Sequence, residues 1–286
     1  MIIKRIYNNN IAMVDDDGAE RIVLGRGIAF QKHRGETLDP ASVDKVFTLD
    51  SPDAISRFEK LAKSIPSEYI EVSEEIVEML HRESNLEIDD SILIALADHI
   101  SLAVERERRG VTLANPMLFE IKHLYREEYA LAERAAEIIH EHLDIWVSES
   151  EVGFITLHIV NATMEQDSQQ LIQCVSLVKD ILDIVGEVYG DDVDTESLGY
   201  ERFLRHLQFF AERALGTGGE QDDADLPVLL DRADYPDAFA CVDRIAEHVK
   251  TTYHVDVTDA EKSYLVYHLV TLFGTNGRDG CDGREA

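Results

Sequence analysis

A chain of 286 residues with 45% hydrophobic content has room for two domains, or three if one is small, and enough apolar residues to bury their cores. Its 57 Asp and Glu against 27 Lys and Arg leave a net charge of −30, which excludes a body that binds nucleic acid non-specifically; any site for a polyanion must be local. Residues 1–55 carry seven Lys/Arg and nine Asp/Glu, so the acidity belongs to the rest of the chain, where ordinary solubilisation is the simpler reading. Cys174, Cys241 and Cys281 stand far apart without CxxC spacing, so neither a disulfide framework nor a thiolate metal site is expected. The start MIIKRIYNNN turns polar too soon for a signal peptide, and no apolar run approaches the ~20 residues of a membrane span. A cytoplasmic location without membrane insertion is expected.

Residues 1–50 read as short strands: IIKRIY, IAMV, RIVL and KVFTL, punctuated by turn residues. Asp17-Gly18 between the second and third is a hairpin signal, because both residue types tolerate positive φ. After Pro52 the pattern changes to three- and four-residue apolar spacing, in SRFEKLAKSI, SEEIVEMLHRE and nearly everything from Asp89 to Phe273. Pro66, Pro116, Pro227 and Pro236 punctuate these helices. GTGGEQDDADLP reads as an exposed loop, and the tail after Phe273 as disordered.

The helical part is a duplication. Laying His99 on His206 aligns LADHISLAVER with FLRHLQFFAER and matches Glu105-Arg106 with Glu212-Arg213. Laying His158 on His268 also matches Ile155 with Leu265, Ile159 with Leu269 and Val160 with Val270. Ser148-x-x-Glu151 and Thr258-x-x-Glu261 predict a capping box at the start of each second histidine helix, where side chains satisfy the first free amides reciprocally. The division is therefore a β-domain over 1–56, helical modules over 57–170 and 171–275, and a disordered tail over 276–286.

His81, His123, His140, His142, His248 and His254 lie among charged neighbours, where a solvated helix face is the default. His99, His158, His206 and His268 differ, since each occupies a repeated place flanked by apolar residues. A lone histidine of that kind is usually a satisfied core residue; two matched pairs weigh against that reading. Imidazole offers a metal ligand, a general base or a nucleophile toward phosphate. No HExxH or comparable ligand spacing is present, and Asp98-His99 reverses the His-Asp order common in metal-dependent phosphohydrolases, with Arg205 at the matching place before His206. No catalytic residue, metal or cofactor is expected. A histidine-dependent metal or phosphohydrolase enzyme stays as the alternative, and a phosphorylation-driven module acting on a protein partner as a third reading.

With IYNNNIAMV, GRGIAFQK and KVFTL at the start, and LADHI, GFITLHIVNA, RHLQFFAER and YLVYHLV in the duplicated part, the chain resembles the BglG/LicT/SacY family of transcriptional antiterminators along almost its whole length. The resemblance implies a multidomain architecture: a small all-β, four-stranded antiparallel RNA-binding domain that dimerises, then two homologous all-α phosphotransferase-system regulation domains. It implies a sugar-responsive regulator, not an enzyme, that binds a hairpin in an mRNA leader and prevents a terminator from forming. RNA contacts carry over onto Arg5, Asn10, Gly25, Arg26 and Phe30. His99 and His158 would take an inhibitory phosphoryl group from a sugar-specific enzyme II, and His206 and His268 an activating one from the general carrier HPr. A homodimer is expected.

Overall fold

The computed structural model describes residues 1–25, 27–47, 65–89, 92–163, 168–190, 194–195, 197–216 and 230–274. The chain divides into two compact units, Met1–Asn115 with Glu127–Glu165, and Pro116–Arg126 with Gln166–Ala286. The end of KVFTL, the helix expected over SRFEKLAKSI, most of the loop over 216–227 and the tail over 276–286 lie outside the described residues.

The strands are β1 (Ile2–Ile6), β2 (Ile11–Asp16), β3 (Ala19–Leu24) and β4 (Lys45–Phe47), an antiparallel sheet in chain order. Asp17 and Gly18 turn the β2–β3 hairpin with φ of 52° and 90°, the positive pair whose twist suits a two-residue connection. Asp15 Oδ1 closes it by accepting the Gly18 N–H at 2.8 Å. Strand alternation sends Ile3, Ala12, Val14 and Val23 into one small core with Ile28, Ala29 and Leu38. Ile11, Met13, Ile22 and Leu24 point the other way and are buried too. Strands β2 and β3 are thus covered on both faces over these residues, and the sheet's exposed chemistry comes from its loops and edge strand.

The helices are α1 (Ser67–Glu83), α2 (Ile92–Arg108), α3 (Leu118–Leu124), α4 (Arg126–Leu143), α5 (Glu149–Thr163), α6 (Ser168–Tyr189), α7 (Leu198–Ala214), α8 (Pro236–His248) and α9 (Asp259–Phe273). In the first unit α2 packs on α1 and α5. Leu93, Leu96, Ile100 and Val104 of α2 recur at three- and four-residue spacing and are fully buried, as are Ile155 and Ile159 of α5. Each such side chain stabilises the pairing by about 1.5–3 kcal/mol, so the faces that carry His99 and His158 are held by their apolar neighbours.

The second unit repeats this frame: α6 packs on α7 and α8, and α9 on α7 and α8. Its core includes Val178, Ile181, Phe203, Leu207, Ile245 and Leu265. Ser197 caps α7 by accepting the Tyr200 N–H. Helix α3 also packs here, against α6 and α7. Leu124 rests on the core, the Ser176 hydroxyl meets Met117 Sδ at 3.3 Å, and Arg126 pairs with Glu201 at 2.7 Å.

Candidate functional site

The structure brings the four matched histidines together as two pairs. His99 on α2 faces His158 on α5 with ring centroids 5.0 Å apart; His206 on α7 faces His268 on α9 at 4.4 Å. Burial, with His99 adding to it, pushes His158 down to about 4, although the residue as a whole is only half-buried. Burial, with His206 adding to it, does the same to His268, which is only 8% exposed and also falls to about 4. Burial lowers His206 as well, helped by the cations Arg205, Arg213 and Arg202. At neutral pH these three rings are uncharged and keep a nitrogen lone pair, the form a phosphoryl acceptor requires.

The surroundings of the two pairs differ. In the first, Arg106 donates from Nε and Nη2 to Glu151 Oε1 at 3.0 and 2.7 Å. The second oxygen of Glu151 lies 3.1 Å from His99 Nε2, an ion-pair separation whose angles fall short of a hydrogen bond. Burial of Glu151 opposes its ionisation, but His99 and Arg106 outweigh burial and hold the carboxyl below its usual range. Phe154 completes the wall, edge-on to His99 at 6.1 Å.

In the second pair Tyr264, which stands where the repeat has Phe154, places its hydroxyl 2.6 Å from His206 Nδ1 and 3.0 Å from Nε2, in hydrogen-bond contact with the ring. Glu261 turns away from the histidines to its own helix start. It accepts the Thr258 N–H and hydroxyl at 2.9 Å each, while Thr258 Oγ1 accepts the Glu261 N–H at 3.2 Å. The expected capping box is therefore formed at Thr258. At Ser148 it is not: Glu151 is drawn to Arg106 and His99, Glu107 accepts the Ser148 N–H at 3.1 Å instead, and Ser148 Oγ is buried without a hydrogen-bond partner among the described residues. The distant ion pair overrides the local motif because a buried carboxylate gains more from a two-pronged guanidinium than from one amide.

Several of the remaining histidines are not simply solvated: His123 Nδ1 meets Phe119 O at 2.7 Å and His142 Nε2 meets Glu75 at 2.7 Å. His140 stacks on Trp146 with centroids 4.1 Å apart, and His248 donates to Asp180 at 2.9 Å, an oxygen that also accepts from Tyr253. Among the described residues, no three His, Cys, Asp or Glu side chains converge as a metal site, and no helix is long and apolar enough to cross a membrane.

In the β-domain, Asn10 and Gly25 meet where two loops zip together. Gly25 N–H bonds Asn10 O at 3.0 Å, Ala29 N–H bonds Asn9 O at 2.9 Å, and Asn10 Oδ1 accepts the Gly27 N–H at 2.8 Å. Asn10 is only 4% exposed, with its Nδ2 buried and unpartnered among the described residues. At Gly25 a Cβ would lie 2.3 Å from both the Ile28 side chain and Ser42 O, so only glycine fits. Gly27, at φ of 67°, lets the loop reverse. Phe30 follows with 59% exposure. Arg5 is exposed on β1 opposite Met13, away from that junction in the sheet register, and Arg26 lies outside the described residues.

The profile of the CAT RNA binding domain matches residues 1–55, and that of the PRD domain matches twice, over 74–162 and 179–272. Transcription antiterminator LicT of Bacillus subtilis is 38% identical over 94% of this chain and 97% of its own length. This chain belongs to the family of transcription antiterminators with CAT and PRD domains. The beta-glucoside operon antiterminator of Dickeya chrysanthemi is 33% identical, over 94% of this chain and 95% of that protein. A crystal structure titled GlcT CAT-PRDI superposes with a TM-score of 0.51 at 31% identity, covering 57% of this chain and 97% of that one. In family terms the sheet and its zipped loops fall within the CAT match, His99 and His158 within the first PRD match, and His206 and His268 within the second. Arg106, Glu151 and Arg213 are named by the repeat and cap motifs but not as neighbours of the histidines, and Tyr264 is missed altogether; continuing the alignment, which lays Tyr264 on Phe154, is the signal that finds it.

Proposed function

We propose that this chain is a cytoplasmic, sugar-responsive antiterminator whose CAT domain binds an mRNA leader hairpin as a homodimer, and whose four paired histidines carry phosphoryl signals. The division 1–56, 57–170 and 171–275, with a tail over 276–286, serves as the working domain plan. His99 and His158 take the inhibitory group from a sugar-specific enzyme II, and His206 and His268 the activating group from HPr. The observation that supports this reading is the facing of two matched, largely buried imidazoles in each repeat, three of the four held neutral by their surroundings. A group of about −2 charge placed on such a ring alters the balance of an acidic helical body far more than it would on a free surface.

RNA contact is assigned to the zipped loops. Phe30 presents an exposed π-face on which an unpaired base stacks, Arg26 supplies a cation, Asn10 with Gly25 shapes the loop from within, and Arg5, apart from the loops on β1, adds a second cation along the sheet. Since a base on an aromatic ring is worth about 1–3 kcal/mol, Phe30→Ala should weaken hairpin binding by the full chain roughly 5- to 100-fold in a gel-shift titration. Binding of no structured leader hairpin by the parent protein at low salt would refute the reading. Replacing His206 and His268 by alanine should remove dependence on the phosphocarrier, and a variant still dependent on it would contradict the assignment.

A further inference from the structure

The two repeats hold the same arginine and the same glutamate in different arrangements, and the difference marks a place for a phosphoryl group. In the first repeat the Arg106 guanidinium is filled: two of its nitrogens donate to Glu151, a carboxylate only 1% exposed. In the second, the capping box holds Glu261 back, leaving its nearest oxygen 3.8 Å from Arg213. Arg213 Nε is buried and has no hydrogen-bond partner among the described residues. The side chain as a whole is 27% exposed, so the guanidinium is solvated at one end and underused at the other, where a buried N–H is unfavourable until an acceptor reaches it. Arg213 is on the same helix as His206, two turns on, and is one of the charges that His206 feels.

We infer that Arg213 is a preformed receptor for a phosphoryl dianion on the His206–His268 pair, whereas its counterpart Arg106 is blocked by Glu151. This rests on the reading of the histidines as phosphoryl acceptors. A phosphoryl group in the second repeat finds a guanidinium held only by a 3.8 Å contact with Glu261 and with its Nε unused, and adds a charge-assisted contact. In the first repeat it arrives beside a carboxylate 3.1 Å from His99 Nε2 and has to take Arg106 from it. The displaced Glu151 has a landing place, because Ser148 Oγ stands unpartnered at the helix start where Thr258 makes its cap. One modification thus tightens one repeat and breaks an internal ion pair in the other, a physical origin for opposite regulatory signs.

The test uses the full chain and phosphoramidate, which needs no partner protein. The lone pair of an imidazole nitrogen forms the new N–P bond, the donor P–N bond breaks, and its nitrogen leaves as ammonia with that electron pair. Labelled histidines are located and quantified by mass spectrometry. We expect the His206–His268 pair to label more than His99. Arg213→Gln should cut labelling of that pair about tenfold while leaving the first pair unchanged, and Arg213→Lys should retain most of it. Glu151→Gln, nearly isosteric, should raise labelling of His99 about tenfold. Parent-like labelling in both Arg213→Gln and Glu151→Gln overturns this inference and leaves the acceptor reading standing. Labelling of none of the four histidines in the native chain overturns both.

Discussion

The two helical repeats share a frame and differ in how they restrain their histidines. The first uses charge: a buried carboxylate, gripped by Arg106, reaches His99. The second uses a neutral hydroxyl from Tyr264 and spends its glutamate on a helix cap. Duplication fixed where the imidazoles sit, while a few side chains around them set what it costs to charge them. A repeat therefore predicts geometry better than electrostatics.

The largest expected consequence lies in the arginines. Removing Arg106 strands a buried Glu151, so Arg106→Ala should cost about 3–5 kcal/mol in urea unfolding. Arg213→Ala, whose only ion pair among the described residues is a 3.8 Å contact, should cost less than about 1 kcal/mol. Equal losses would show that the two environments are the same after all.

Acidity provides the next comparison. His158 and His268 sit near 4 when folded and near 6.5 when unfolded, so the unfolded chain binds more protons between those values and stability falls as pH drops from about 6.5 to about 4. The contribution is at most on the order of 3 kcal/mol per histidine. Glu151, with its carboxyl depressed, adds to the first repeat a stabilisation that is present above the unfolded carboxylate value and lost as pH falls through the folded one. His268→Gln should flatten the upper part of this dependence, and Glu151→Gln the lower part, when unfolding midpoints are measured across the range. A profile unmoved by either substitution would break the assignment.

The smallest effect concerns the caps. Thr258→Ala removes a formed box and should cost about 1 kcal/mol, whereas Ser148→Ala removes a hydroxyl that bonds nothing described and should be close to neutral in the same unfolding assay. Comparable costs would mean that Glu151 returns to its helix start in solution.

Much of this was legible beforehand. The four strands, the Asp17-Gly18 hairpin and the helices through Phe273 follow from local periodicity and turn chemistry, and the pairing of the histidines follows from duplication. The Ser148 cap was misread because a four-residue motif carries no word of Arg106, which competes for Glu151 from another helix. Asn10, onto which the resemblance carries an RNA contact, has its side-chain oxygen on the Gly27 amide inside the loop, a role no motif announces. The matched Arg106 and Arg213 are visible as flanking charges; only the geometry shows one bonded twice by its carboxylate and the other held by a single 3.8 Å contact.

Helix α3 has a practical side. Its residues lie within the first PRD match, over 74–162, but its packing partners α6 and α7 come from the second compact unit. The chain leaves the first unit after Asn115 and returns at Glu127. The repeats are consequently not beads to be unstrung. A fragment ending near residue 165 would carry Leu124 without the core it rests on, and one starting near 166 would lack a helix of its own packing. Isolated halves of this protein would be poor witnesses to how either half behaves in the whole.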